Sequence, residues 1–231
     1  MIGRALGALF PPICLLCDQT CEAGATADVC HHCRPVLPWN SNPCPRCGLP
    51  CGNGGNDCQS CDEDPLPVAR TVAPLLHDGH PRHWVHRLKF HEGMIEGRLL
   101  ATLLADAVRE SYAAENLPGV LVPVPMPPGR LAWRGHNQAA TIAAFLGRRL
   151  NLPLARRGAR RARRSRPQRL LSRAARLKAT AGIFASQPWE GETIAVVDDV
   201  MTTGATVAEL ARTLVAAGAS EVHAWSATRA V

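Results

Sequence analysis

Four Cys-x-x-Cys pairs crowd the first 61 residues: Cys14/Cys17, Cys30/Cys33, Cys44/Cys47 and Cys58/Cys61. Twelve residues separate the first two pairs and ten separate the last two. A tight Cys-x-x-Cys turn holds two sulfurs close together, and two such turns close a tetrahedron of thiolates around one metal ion. The spacing predicts two structural zinc sites of four thiolates each. Sequential pairing is the simplest arrangement. A crossed one, first pair with third and second with fourth, fits the same spacing. PCPRCG (43–48) has Pro and Gly where such a turn bends. Residues 1–62 have few long apolar runs, so metal must supply much of the local folding free energy. A closed four-thiolate site leaves no position for a substrate. Cys21, Cys51, His31 and His32 are bystanders on this reading. Cys51, four residues after Cys47, and the two histidines inside the second turn are the alternative ligands.

The compartment follows from the thiols. MIGRALGALFPPICLLC has one Arg and only a short apolar run before Pro11, unlike a secretory leader, and no run has the length of a membrane span. The chain is therefore expected in the cytoplasm, with no membrane insertion, where paired Cys-x-x-Cys turns bind metal rather than form disulfides.

With 231 residues, the chain has room for one full-sized domain and a small accessory one. DEDPLPVAR (62–70) reads as a linker, which divides the chain into a Cys-rich unit over 1–64 and a second unit over 65–231. Apolar residues make up 46% and aromatic ones only 4%, so the core must be Ala, Leu and Val. That composition favours helix-on-sheet or all-helix packing.

The net charge of +7 is concentrated. Residues 156–178 hold ten Arg and one Lys with no acid, which leaves −4 for the rest. Any argument for a polyanionic partner rests on this segment, which is a solvated connection, a hood over an anionic ligand, or a track for a nucleic-acid backbone. It has no aromatic residue, so stacking on bases would fall to Trp133 or Trp189.

Beyond residue 66, β-rich and helical stretches alternate. VARTVAPLLH is expected to be extended, and HPRHWVHRLKF (80–90) and 99–114 helical. His80, His83 and His86 recur every third residue and are taken as scattered polar groups rather than a further metal site. GVLVPVP (119–125) is a short strand whose prolines lead it out of the ladder, and MPPGRLAWRGH is expected to continue as a loop. Asn137 caps a helix over 138–150, and Ser172 is a candidate cap for another. TIAVVDD (193–199) is apolar on both faces, as a central parallel strand must be. A helix over 205–217 ending at Gly218 and a strand over 221–227 complete a βαβ unit. The fold class expected is α/β, a doubly wound parallel sheet.

VVDDVMTTGAT (196–206) lies at the heart of that unit. It places Asp198 and Asp199 at the carboxyl end of a strand and Thr202, Thr203, Gly204, Ala205 and Thr206 at the amino end of a helix, where open α/β sheets bind ligands. Backbone N–H groups of a Gly-containing turn backed by a helix suit a phosphate. The acids suit the vicinal hydroxyls of a sugar. One ligand with both groups would satisfy both.

This stretch resembles the phosphoribosyl-pyrophosphate motif of type I phosphoribosyltransferases. Together with the cysteine-rich head, HRLKF (86–90), VPVPMPPGRLAWRGHNQA (122–139) and PQRLLSRAARLKATAGIF (167–184), the chain resembles the ComF family over nearly its whole length. The resemblance implies a double zinc-ribbon-like head on a type I phosphoribosyltransferase-like domain. It implies that Asp198 and Asp199, the catalytic candidates, hold the ribose hydroxyls, that 202–206 cradle the 5′-phosphate, and that Arg130, Arg134 and Asn137 face the pyrophosphate, with Lys89 as a second contact. Mg²⁺ would accompany phosphoribosyl pyrophosphate, bound largely through substrate and water. The resemblance further implies a setting in DNA uptake, with single-stranded DNA and uptake or recombination proteins as partners. Transferase, ligand sensor and non-catalytic nucleic-acid-binding factor all remain open. The chain departs from the family at His136, where an aromatic is usual, and at Ala175 and Ala179, where an acid and an Asn are usual.

Overall fold

The computed structural model describes residues 12–21, 28–51, 58–90, 93–113, 116–162 and 182–231. In chain order the elements are α1 (Gln59–Glu63), β1 (Thr71–Val72), β2 (Leu75–Leu76), α2 (Gly79–Leu88), α3 (Met94–Ser111), β3 (Val120–Pro123), α4 (Pro128–Arg134), α5 (Gln138–Leu150), β4 (Ala159–Arg161), β5 (Phe184–Ser186), β6 (Thr193–Met201), α6 (Ala205–Ala216) and β7 (Glu221–Arg229).

The main sheet runs β1–β7–β6–β3, with β2 also on β7, and every pairing in it is parallel. Its central strand β6 separates two cores. Ala195 and Val197 pack with Leu99, Leu100, Leu103 and Leu104 of α3 and with Ile142 and Leu146 of α5. Ile194 and Val196 pack on the other face with Val207, Leu210 and Leu214 of α6. This is why β6 is apolar at consecutive positions: each face has its own layer of helices to meet. Each fully buried Leu or Ile contributes about 1.5–3 kcal/mol. The expected doubly wound parallel sheet is what the chain adopts.

The cysteine-rich head joins both cores. Cys14 and Cys30 pack into the first, and Cys44, Cys47, Cys58 and Cys61 into the second. Polar ties hold the first half of the head to α3: Arg98 pairs with Asp28 at 2.7 Å, and Arg34 pairs with Asp106 at 3.1 Å.

Several expectations need correction: the helix expected over 99–114 is α3, Met94–Ser111, and the strand expected over 221–227 runs to Arg229. MPPGRLAWRGH, expected to be a loop, contains α4. Its signals were present: Pro128 fits the first helical position, and Gly135, at φ 74, closes the end in the left-handed conformation. The strand expected over 193–199 instead runs to Met201, because β7 pairs with it past the acids, at Val200 and Met201. By contrast, Asn137 caps α5 as expected, its Oδ1 accepting from the Ala139 N–H at 3.1 Å. The cap expected at Ser172, with Ala175 and Ala179, falls outside the described residues.

Candidate functional site

β3 and β6 are adjacent, yet the helices that follow them lie on opposite faces: α5 on one, α6 on the other. The chain therefore opens a crevice at the carboxyl ends of these two strands. A cleft of about 230 Å³ occupies it. Its lining includes Lys89, Arg130, Arg134, Asn137, Asp198, Asp199 and Thr206, all expected from the sequence. Segments far apart in the chain thus converge on one space. Gln138 and Arg161 also line the cleft and were not foreseen. Arg161 was visible only as one of many arginines. Its placement comes from β4, which pairs with β5 and holds it against the loop after β3, where its Nε donates to Pro125 O at 3.2 Å.

The rest of the expected turn lies beside this lining. Thr202 is exposed, Thr203 is half-buried, and Gly204 and Ala205 are buried. The Thr203 hydroxyl accepts weakly from Ala205 N–H at 3.4 Å, at the start of α6.

The electrostatics are divided. Four cations face two acids. Asp198 Oδ1 accepts the Asp199 N–H at 2.9 Å. Burial, then the adjacent Asp199, pushes the Asp198 carboxyl well above the usual carboxylate range, although Lys89 opposes the shift. Burial also lowers the pKa of Arg134 and Arg161, and the nearby Arg130 adds to both. Guanidiniums in that position gain from a bound anion. Two buried donors, Arg134 Nε and Gln138 Nε2, have no hydrogen-bond partner among the described residues. An anionic ligand with several acceptor oxygens fits them, since an unmet buried donor costs about 1–3 kcal/mol.

The wall of the cleft is tied together by its own polar groups. Asn137 Nδ2 donates to Val124 O at 2.9 Å. His136, at the family's aromatic position, stands with Nε2 2.7 Å from Leu88 O and Nδ1 3.1 Å from Arg134 O. It joins the end of α2, and so Lys89, to the end of α4, which carries Arg134.

The eight paired cysteines form two quartets, Cys14/Cys17/Cys30/Cys33 and Cys44/Cys47/Cys58/Cys61, each with all ligand sulfurs within 4.8 Å of one another. The pairing is sequential, and Cys21, Cys51, His31 and His32 belong to neither quartet. The donor set fits zinc. Burial and neighbouring sulfurs push Cys47 up to about 11 and Cys61 higher still. Four thiols so close cannot all ionise unless a cation takes up the charge. A bound zinc would supply that charge and close each half of the head.

Comparison with known proteins places the chain. Residues 5–62 match the double zinc ribbon domain family. Competence protein ComFC of Bacillus subtilis is 27% identical over 238 residues, covering 94% of this chain and 95% of that protein. The DNA utilization protein YhgH of Escherichia coli is 30% identical over 222 residues, covering 95% of this chain and 97% of that protein. The chain belongs to the ComF family. Among solved structures, purine phosphoribosyltransferase from Pyrococcus horikoshii Ot3 aligns with 57% of this ComF chain and 79% of its own, at 17% identity and a TM-score of 0.31. No helix among the described residues is long and apolar enough to cross a membrane.

Proposed function

We propose that the chain binds phosphoribosyl pyrophosphate with Mg²⁺ in this cleft and serves in DNA utilization or uptake, as the names of its relatives suggest. The observation that carries the reading is the mixed lining of the cleft: Asp198 and Asp199 together with Lys89, Arg130, Arg134 and Arg161, and two buried donors unmet among the described residues. A ribose diol suits the acids, and a diphosphate suits the cations. The 5′-phosphate is assigned to the turn over 202–206. Mg²⁺ would be held mainly by substrate oxygens and water, so the protein needs no cage of its own. In a transferase, the cations would stabilise departing pyrophosphate as positive charge develops on the ribose. Calorimetry with phosphoribosyl pyrophosphate and Mg²⁺ tests the reading. Absence of binding sinks it. Pyrophosphate release across a panel of bases separates a transferase from a sensor that only binds.

A second reading, single-stranded nucleic-acid binding, draws on one further observation. Trp133 is 68% exposed, whereas Trp189 is buried, so only Trp133 is free to stack on a base. It meets the exposed Phe90 edge-on, with ring centroids 6.0 Å apart, and Arg134 lies over its ring at 5.8 Å. An aromatic pair beside cleft cations is the arrangement that single strands use.

A further inference from the structure

Arg229 stands at the end of β7 and is almost wholly buried. Its guanidinium ties together three parts of the chain that are remote in sequence. Nε donates to Cys47 O at 2.9 Å. One terminal nitrogen donates to Met201 O at 3.0 Å, to Thr202 O, and to Ala230 O at 2.6 Å. Cys47 belongs to the second cysteine quartet. Met201 and Thr202 lead from β6 into the turn over 202–206.

The orientation matters more than the number of bonds. Across a planar trans peptide, C=O and N–H point in opposite directions. Holding the carbonyls of Met201 and Thr202 on Arg229 therefore turns the N–H groups of Thr202 and Thr203 away from it. Side chains also approach two glycines closely at the same place. A β-carbon on Gly48, one residue after Cys47, would lie 3.5 Å from Met201 Cε, and one on Gly204 would lie 2.9 Å from Leu66 Cδ1. The first quartet has no such path among the described ties, since Arg98–Asp28 and Arg34–Asp106 join its half of the head to α3.

We propose that Arg229 is a positioning residue that transmits the metal state of the second cysteine quartet to the turn over 202–206. With zinc bound, the Cys47 carbonyl points in a fixed direction and Arg229 holds the turn. When zinc leaves, as on chelation, that carbonyl is released and the turn loosens. The functional consequence, weaker anion binding, rests on the proposed function. The coupling itself does not.

Amide exchange in the zinc-loaded full-length chain tests the coupling. Ala208 N–H donates to Gly204 O at 2.8 Å and Ala230 N–H to Met201 O at 2.9 Å, so both amides report how firmly the turn is held. In Arg229→Met, exchange at both is expected to rise by about tenfold with zinc content unchanged, and Arg229→Lys should fall between. Removing zinc from the second quartet of the wild type should raise the same two rates. Wild-type rates in Arg229→Met overturn the proposal. If that variant does not fold, unchanged exchange after Cys58→Ser or chelation overturns it instead. A parallel titration with phosphoribosyl pyrophosphate and Mg²⁺ keeps the two ideas apart: lack of binding sinks the ligand reading, while the exchange rates still decide the coupling.

Discussion

Leu66 lies so close over Gly204 that a β-carbon at 204 would stand 2.9 Å from Leu66 Cδ1 and 3.0 Å from Cδ2. Gly204 also has φ 77, which a side chain resists. Space and backbone thus both require glycine where α6 begins. Gly204→Ala is expected to destabilise the chain by about 1–2 kcal/mol from the left-handed backbone alone, more if Leu66 cannot shift. Leu66→Ala combined with Gly204→Ala should recover the contact part but not the backbone part. Thermal unfolding of the single and double variants measures the split, and additive losses would show that the contact is immaterial.

Asp198 makes the site sensitive to pH. Its folded-state pKa lies above its unfolded value of about 3.9, so between the two the folded state binds the extra proton. Its effect on stability is therefore favourable at low pH and is lost as pH rises through the folded pKa. A ligand that needs Asp198 ionised must displace that proton. Affinity for phosphoribosyl pyrophosphate with Mg²⁺ should rise with pH and level off above the folded pKa. Calorimetry in buffers of different ionisation enthalpy should show proton release, and Asp198→Asn should abolish it.

Asp199→Asn keeps the shape of the site and removes a charge. It should weaken ligand binding about tenfold or more, since hydrogen bonds to charged groups contribute about 1.5–3 kcal/mol. Arg134→Ala should cost at least as much in ligand affinity and less in stability, because its buried Nε is unmet among the described residues and its other tie, to Gln138 Oε1 at 3.3 Å, is long. Titration of each variant alongside its thermal unfolding curve checks this. A stability loss as large as the affinity loss would assign Arg134 to the scaffold instead.

Metal analysis of the purified chain should find about two zinc per chain. Cys58→Ser should lower that to about one and destabilise the chain strongly, since all four cysteines of this quartet are buried and packed into the core beneath α6. Retention of both metals would show that Cys58 is not a ligand.

For nucleic acid, Trp133→Ala should weaken single-stranded DNA binding by about 1–3 kcal/mol and leave its salt dependence unchanged, because stacking carries no counterion release. Arg160→Ala/Arg161→Ala should weaken it too but also lower the salt slope. Fluorescence anisotropy at several salt concentrations separates them.

The turn at 196–206 and the Cys-x-x-Cys pairs were legible in the sequence because their chemistry is local. A run of apolar residues, two acids and a Thr/Gly turn make a strand, its end and a helix start through short-range geometry, and one turn positions two sulfurs. α4 was local too, but Pro125, Pro127 and Pro128 obscured its start. What the order of residues did not decide is which distant segments meet. Sequential rather than crossed pairing of the cysteines depends on which core each half of the head joins. Gln138 and Arg161 reach the cleft only because α5 and β4 pack where they do. Arg229 looked like an unremarkable residue near the end of a strand. Its place between Cys47 and the turn at Met201 and Thr202 arises only when β7 lies alongside β6 and the head folds over both, since a buried guanidinium must find its acceptors wherever the assembled chain presents them.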